Sequence, residues 1–83
     1  MKKIEIQVRE TREYGTHFYV GAKRVGYIGW DCFNHDCYHA ELPPRFNIHK
    51  RGIKYEEAYD FVKQELESLF YCLGLEVEFV KVD

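Results

Sequence analysis

Eighty-three residues suffice for one domain with a thin core, and a chain with 46% hydrophobic and 31% charged residues has the composition of a folded protein rather than a disordered one. No apolar run approaches the roughly 20 residues of a membrane span, and the first residues, MKKIEIQVRE, alternate apolar with polar positions instead of forming a signal-peptide block. We therefore expect a single domain over 1–83, no membrane association and a cytoplasmic location with three reduced cysteines.

The net charge of −2 conceals an uneven distribution of charge along the chain. Residues 1–54 hold ten Lys and Arg against six Asp and Glu, whereas residues 55–83 hold two against eight. This asymmetry predicts two surfaces of opposite electrostatic character.

The first half of the chain alternates apolar with polar residues, with the period of two that is typical of half-buried strands. The predicted strands comprise residues 4–8, 16–20, 25–30 and 37–42. Gly15 is available for the positive φ of the turn before the second strand. Gly26 and Gly29 inside the third strand indicate a bulge or a close approach by a partner, and Pro43 and Pro44 end the fourth strand because neither donates to a ladder.

From residue 55 the apolar positions recur with the helical period of 3.6 residues. The apolar positions of this predicted helix, 55–73, are Tyr55, Ala58, Val62, Leu66, Leu69 and Leu73, with Phe61 and Phe70 beside them. Gly74 suits a left-handed C-terminal cap, but no Ser, Thr, Asp or Asn stands at the expected N-cap. We predict irregular structure over 43–53 and a last strand over 75–79, after which Val80 and Val82 indicate a bulge or a frayed end.

These elements predict an α+β fold. Its mostly antiparallel sheet has four to five strands in the order β-β-β-β-α-β, with one amphipathic helix packed on one face.

Two cysteines and two histidines fall within eight positions: Cys32, His35, Cys37 and His39. Structural zinc sites commonly pair two short ligand turns that lie a dozen or more residues apart, a spacing that this cluster lacks. A short loop between the third and fourth strands would by itself bring Cys32 opposite Cys37. We therefore expect no cofactor, with zinc on these four residues as the alternative. A Cys-His nucleophile needs a cleft, for which so small a chain has little room, and we expect no enzymatic activity.

Aromatic residues make up 17% of the chain and fall on both faces of the predicted sheet. With Cys32 opposite Cys37, one face carries Ile28, Trp30 and His39, and the other carries Val25, Tyr27, Tyr38, Ala40 and Leu42. One helix covers one face only, so the opposite face should present aromatic side chains to solvent or to a partner. The predicted partner-binding residues come from both faces, because the sequence does not say which face is covered: Tyr19, Tyr27, Trp30 and Tyr38.

The basic segment 45–54, RFNIHKRGIK, is the alternative binding surface. Its candidate contacts to nucleic acid are Arg45, His49, Lys50, Arg51 and Lys54, which would meet phosphates while sheet aromatics stack on bases. The acidic helix and last strand that follow argue against the continuous positive groove typical of such proteins.

The layout of strands followed by an amphipathic helix is similar to that of short accessory proteins of bacteria, phages and mobile elements, a likeness of shape that carries over no residues. We therefore expect a small non-enzymatic protein-binding module, an adaptor or inhibitor of another protein. Self-association through the aromatic face would give a symmetric dimer in its simplest form.

Overall fold

A computed structural model describes residues 2–11, 15–30, 37–42 and 49–82, with the backbone alone for 49–52. The described elements are β1 (Lys2–Thr11), β2 (Gly15–Val20), β3 (Lys23–Trp30), β4 (Tyr38–Glu41), β5 (His49–Ile53), α1 (Tyr55–Cys72) and β6 (Leu75–Val82). The α+β class, the mostly antiparallel sheet and the packing of the helix on one face are confirmed. No helix of these described ranges has both the length and the apolar character needed to cross a bilayer.

The six strands form one sheet in the order β5-β4-β3-β2-β1-β6, in which every neighbouring pair is antiparallel except β1 and β6. The helix joins β5 at one edge to β6 at the other. Its 18 residues extend about 27 Å at ~1.5 Å per residue, and five inter-strand spacings of ~4.8 Å give about 24 Å. The helix is therefore long enough to cross the sheet, and it packs against β3, β4, β5 and β6.

The strand β5 lies within the segment 43–53, for which the sequence predicts irregular structure. It pairs antiparallel with β4, placing Ile53 opposite Tyr38. Its sequence, HKRGI, contains one apolar residue, Ile53, which is buried in the core. Because one apolar position shows no alternation, a strand of this kind gives almost no periodic signal.

The core lies between the helix and the face of the sheet that it covers. Along the helix Ala58, Val62 and Leu66 are buried at successive spacings of four residues. They meet buried residues from five strands, namely Ile6, Val8, Phe18, Val25, Ile28, Ala40 and Ile53. Gly26 permits this approach, since a Cβ there would lie 3.0 Å from Val62 Cγ1.

Both ends of the helix follow the sequence prediction closely. Lys54 takes the N-cap position without a side-chain cap hydrogen bond, and Gly74 has the positive φ of 78° expected of a C-terminal cap. The prediction that Leu73 belongs to the apolar face is wrong. The helix ends at Cys72, and Leu73 is 66% exposed because it lies beyond the last helical turn.

The register between β3 and β4 differs by one residue from the pairing of Cys32 with Cys37. Trp30 lies opposite Tyr38, and Ile28 lies opposite Ala40. A shift of one residue exchanges the two faces of a strand. The observed register buries Ile28 and the small Ala40 together beneath the helix, and it places Trp30 on the same side as Tyr38.

The predicted bulge near the end of β6 is also wrong. The parallel pairing with β1 runs in regular steps from Leu75 to Val82. The irregularity lies instead between β2 and β3, where Phe18 pairs with Gly26 but Tyr19 pairs with Arg24. The predicted irregularity at Gly26 is therefore found, with one extra residue on the strand that contains it.

Candidate functional site

The four aromatic residues predicted to bind a partner are divided between the two sides of the sheet. Tyr19 and Tyr27 lie on the face turned away from α1, which we call the open face because no described element packs on it. Trp30 and Tyr38 lie on the helix side, where the Tyr38 ring meets the ring of Tyr55, the first helical residue. Tyr19, Tyr27 and Tyr38 are half-buried, whereas Trp30 is 57% exposed.

The open face carries a cluster of aromatic and basic side chains from four neighbouring strands. This open-face cluster comprises Arg9, His17, Tyr19, Arg24, Tyr27 and His39. The ring centroid of His17 lies 5.0 Å from that of Tyr27 and 6.2 Å from that of Tyr19. The Tyr27 centroid lies 5.5 Å from that of His39. The rings of three strands thus form one continuous surface.

The backbone of Gly29 brings Tyr27 into this cluster. A Cβ at residue 29 would collide with the Tyr27 hydroxyl and its ring, so the ring lies along its own strand over the glycine. His39 is the residue opposite Gly29 on β4, so the Tyr27 ring that lies over Gly29 also contacts the His39 ring. The close approach at Gly29 is therefore made by a side chain of the same strand, and the predicted approach by a partner stays a prediction.

Two guanidinium groups cover tyrosine rings of the cluster. Arg9 Cζ lies 4.8 Å from the centroid of Tyr19, and Arg24 Cζ lies 5.5 Å from the centroid of Tyr27. Arg9 also donates a hydrogen bond of 2.9 Å to Gln7. Neither guanidinium forms an ion pair with a carboxylate of the described residues. The cluster therefore presents two positive charges that its described surroundings leave without a counter-charge.

The register of the strands adds apolar and acidic residues around the cluster. One row of directly opposed residues crosses five strands of the open face: Val82, Arg9, His17, Tyr27 and Glu41. Glu41 lies 3.8 Å from His39 Nε2. Because no bulge turns the end of β6, Val82 stays on this face beside Arg9.

On the helix side, a line of aromatic rings leads from the exposed Trp30 towards the core. Trp30 and Tyr38 are stacked with centroids 4.8 Å apart, and the rings of Tyr38 and Tyr55 meet in a T-shaped arrangement with centroids 5.4 Å apart. The ring of Tyr55 contacts the ring of Tyr59, whose centroid lies 5.6 Å from that of the buried Phe18. Trp30 and Tyr38 thus extend the core outward at the N-terminal end of the helix.

The Tyr55 hydroxyl joins the helix to two strands by hydrogen bonds. It donates to Glu10 Oε1 at 3.1 Å. Since that uses its one proton, the buried Thr16 hydroxyl is the donor in their contact of 2.8 Å. Burial raises the pKa of Tyr55 above its ordinary value, and the Glu10 carboxylate raises it further while the Thr16 hydrogen bond opposes the rise. No motif marks these residues in the sequence, because 39 positions separate Thr16 from Tyr55.

The two remaining sets of predicted site residues fall largely outside what the structure describes. Of the zinc candidates, Cys32 and His35 lie outside the described residues, whereas Cys37 is half-buried and His39 belongs to the open-face cluster. Within the described ranges, no three His, Cys, Asp or Glu side chains gather as metal ligands do.

For the nucleic-acid candidates, Arg45 lies outside the described residues. The side chains of His49, Lys50 and Arg51 are also outside them, although their backbone forms β5, so this segment is a strand in part and not a continuous loop. Lys54 is exposed at the start of the helix.

Comparison with known proteins returns no relative: no protein-family model, no curated protein and no solved structure matches this chain.

Proposed function

We propose that this protein is a small non-enzymatic protein-binding module that docks through the open face of its sheet. The observation that carries the proposal is the open-face cluster, in which tyrosine and histidine rings from three strands lie between two guanidinium groups without described counter-charges. Aromatic rings and arginine are the side chains enriched in protein interfaces.

The partner surface that fits this cluster carries carboxylates beside apolar groups. Carboxylates would pair with Arg9 and Arg24, and apolar side chains would complete the burial of rings that are half-buried in the lone chain. Ion pairs between these arginines and the partner would also favour the one relative orientation of the two proteins in which opposite charges face each other. The cluster lies on a sheet face rather than in a concavity, which suits docking better than catalysis.

The proposal is tested by comparing three forms of the protein as baits for native host extract. Tyr27→Ser removes the central ring of the cluster, whereas Tyr71→Ser removes an aromatic ring that is 68% exposed near the end of the helix. A protein captured by the unaltered chain should be retained by Tyr71→Ser and lost with Tyr27→Ser. Equal capture by all three baits would contradict the proposal, provided that their unfolding curves show each to be folded.

Charge complementarity is measured with the purified partner. The double variant Arg9→Gln, Arg24→Gln should bind more weakly, and its affinity should depend less on salt than that of the unaltered protein. If the captured molecule is instead a single-stranded nucleic acid, the alternative function replaces this one. If sedimentation shows a dimer that Tyr27→Ser dissociates, the partner is a second copy of the chain.

A further inference from the structure

A cleft opens on the helix side of the sheet, on the opposite side from the open-face cluster. It has a volume of about 420 Å³, within the range of small-molecule sites. Its described lining consists of Glu10, Thr11, Gly15, Thr16, Ile28, Gly29, Trp30, Tyr38 and Tyr55. The cleft thus lies where β1, β2, β3 and β4 meet the first residue of the helix.

Three aromatic rings line the cleft. Trp30 is stacked on Tyr38, and Tyr38 meets Tyr55 edge-on. Trp30 is 57% exposed, so much of its ring remains open to a ligand. Faces of aromatic rings carry negative charge density and attract cations, with tryptophan the strongest of them.

Glu10 is the one residue of the described lining that carries a formal charge. Its two contacts both use Oε1, which accepts a hydrogen bond from Tyr55 and lies 3.6 Å from Lys81 Nζ. Oε2 makes no hydrogen bond or ion pair with the described residues, so it is available to a ligand. Lys81 competes weakly, because both partners of that ion pair are largely exposed.

The network around Glu10 also holds its carboxylate in place. Thr16 is buried and donates to the Tyr55 hydroxyl, which donates in turn to Glu10. The positive end of the helix dipole lies beside the cleft, and Glu56 and Glu57 in the first turn offset it. The cleft therefore combines aromatic walls with one positioned negative charge.

We propose that this cleft binds a guanidinium group, carried either by a free arginine-like molecule or by an arginine side chain of a polypeptide. The planar cation stacks on Trp30 and donates to Glu10, and its alkyl stem lies against the tyrosine rings. Guanidinium suits this combination better than ammonium, because it is flat and weakly hydrated and can therefore stack on an aromatic ring while it donates to Oε2 of Glu10.

The experiment uses Trp30, the one tryptophan of the chain, as a built-in probe. N-acetyl-arginine amide is titrated into the unaltered protein while the fluorescence and the indole NMR signal of Trp30 are followed. We expect a saturable change, and Glu10→Gln should weaken the affinity about tenfold or more through loss of a charge-assisted hydrogen bond. Glu67→Gln, which alters an exposed carboxylate further along the helix and outside the described lining, is the matched control and should bind as the unaltered protein does.

Further ligands test whether the site prefers guanidinium over ammonium and whether the guanidinium belongs to a free molecule or to a polypeptide. N-acetyl-lysine amide should bind more weakly than the arginine compound, and equal affinities would overturn the assignment to guanidinium. A response that does not saturate, or one that Glu10→Gln and Glu67→Gln reduce equally, would overturn the site itself. Within a supporting result, tighter binding of a Gly-Arg-Gly peptide than of free arginine identifies the polypeptide as the source, and the reverse identifies the small molecule.

Discussion

The hydroxyl of Tyr55, the first residue of the helix, donates a hydrogen bond of 3.1 Å to Glu10 Oε1 on the first strand. Residues 45 positions apart in the chain are thus joined within the lining of the cleft. With Thr16, they fix the start of a helix that has no side-chain N-cap.

This network predicts that two substitutions move the pKa of Tyr55 in opposite directions. Thr16→Val removes the hydrogen bond that lowers the pKa, so the pKa should rise further. Glu10→Gln removes the negative charge that raises the pKa, so the value should fall towards 10.0. NMR titration with ring-labelled tyrosine measures both, and shifts in the same direction would contradict the assigned hydrogen bonds.

The same raised pKa makes the fold sensitive to alkaline pH. Because the folded form holds the Tyr55 proton more tightly than the unfolded form, the stability it contributes is complete below the unfolded pKa of 10.0 and is lost as pH rises through the folded pKa. Tyr55→Phe has no ionisable hydroxyl, so it should lack this part of the loss of stability at alkaline pH. Thermal unfolding of both proteins across that pH range measures the difference.

Two glycines of the third strand should respond differently to alanine. At Gly26 the new Cβ would press on Val62 and Phe18, both fully buried, and we expect a net loss of about 1–3 kcal/mol in the free energy of unfolding. At Gly29 it would meet the hydroxyl end of Tyr27, a half-buried side chain on the open face that can rotate away from the strand, so Gly29→Ala should change stability by less than ~0.5 kcal/mol. Urea unfolding compares the two variants, and equal losses would mean that the ring of Tyr27 is held as firmly as the core.

Two leucines near the end of the helix form a matched pair. Leu66 is fully buried, and Leu66→Ala should cost about 2–5 kcal/mol through lost burial and the cavity left behind. Leu73 is 66% exposed, and Leu73→Ala should stay within ~0.5 kcal/mol of the unaltered protein. Chemical denaturation gives both values. A large loss at Leu73 in the monomer would show that its side chain is covered.

The missing N-cap offers a way to stabilise the protein. Lys54 already has the extended backbone of an N-cap, with φ −74° and ψ 158°. Lys54→Ser should therefore raise the free energy of unfolding by about 1 kcal/mol, because its hydroxyl accepts a hydrogen bond from the first helical turn. Lys54→Ala serves as the control for loss of the lysine, and identical stabilities of the two variants would show that no cap forms.

Most elements of the fold could be predicted from local patterns of apolar residues, because each such pattern involves only residues that are near one another in the sequence. The alternation of Ile4, Ile6 and Val8 and the helical spacing of Ala58, Val62 and Leu66 indicate which side of each element is apolar. The structure places all of these residues in the core except Ile4, which is half-buried. The strand β5 lacks such alternation, and its pairing with β4 is what makes it a strand. Predicting this strand would have required knowing that it pairs with β4, which the local sequence does not indicate.

The sequence by itself determined the fold class, the helix and its glycine cap, and the presence of more aromatic residues than one helix covers. The tertiary structure alone decided which rings lie together. A strand that is apolar on both sides satisfies the period of two in either register, so pairing Trp30 with Tyr38 depends on the burial of Ile28 and Ala40 under the helix. That choice puts Tyr27 and His39 on one side and Trp30, Tyr38 and Tyr55 on the other, and so separates the open-face cluster from the cleft.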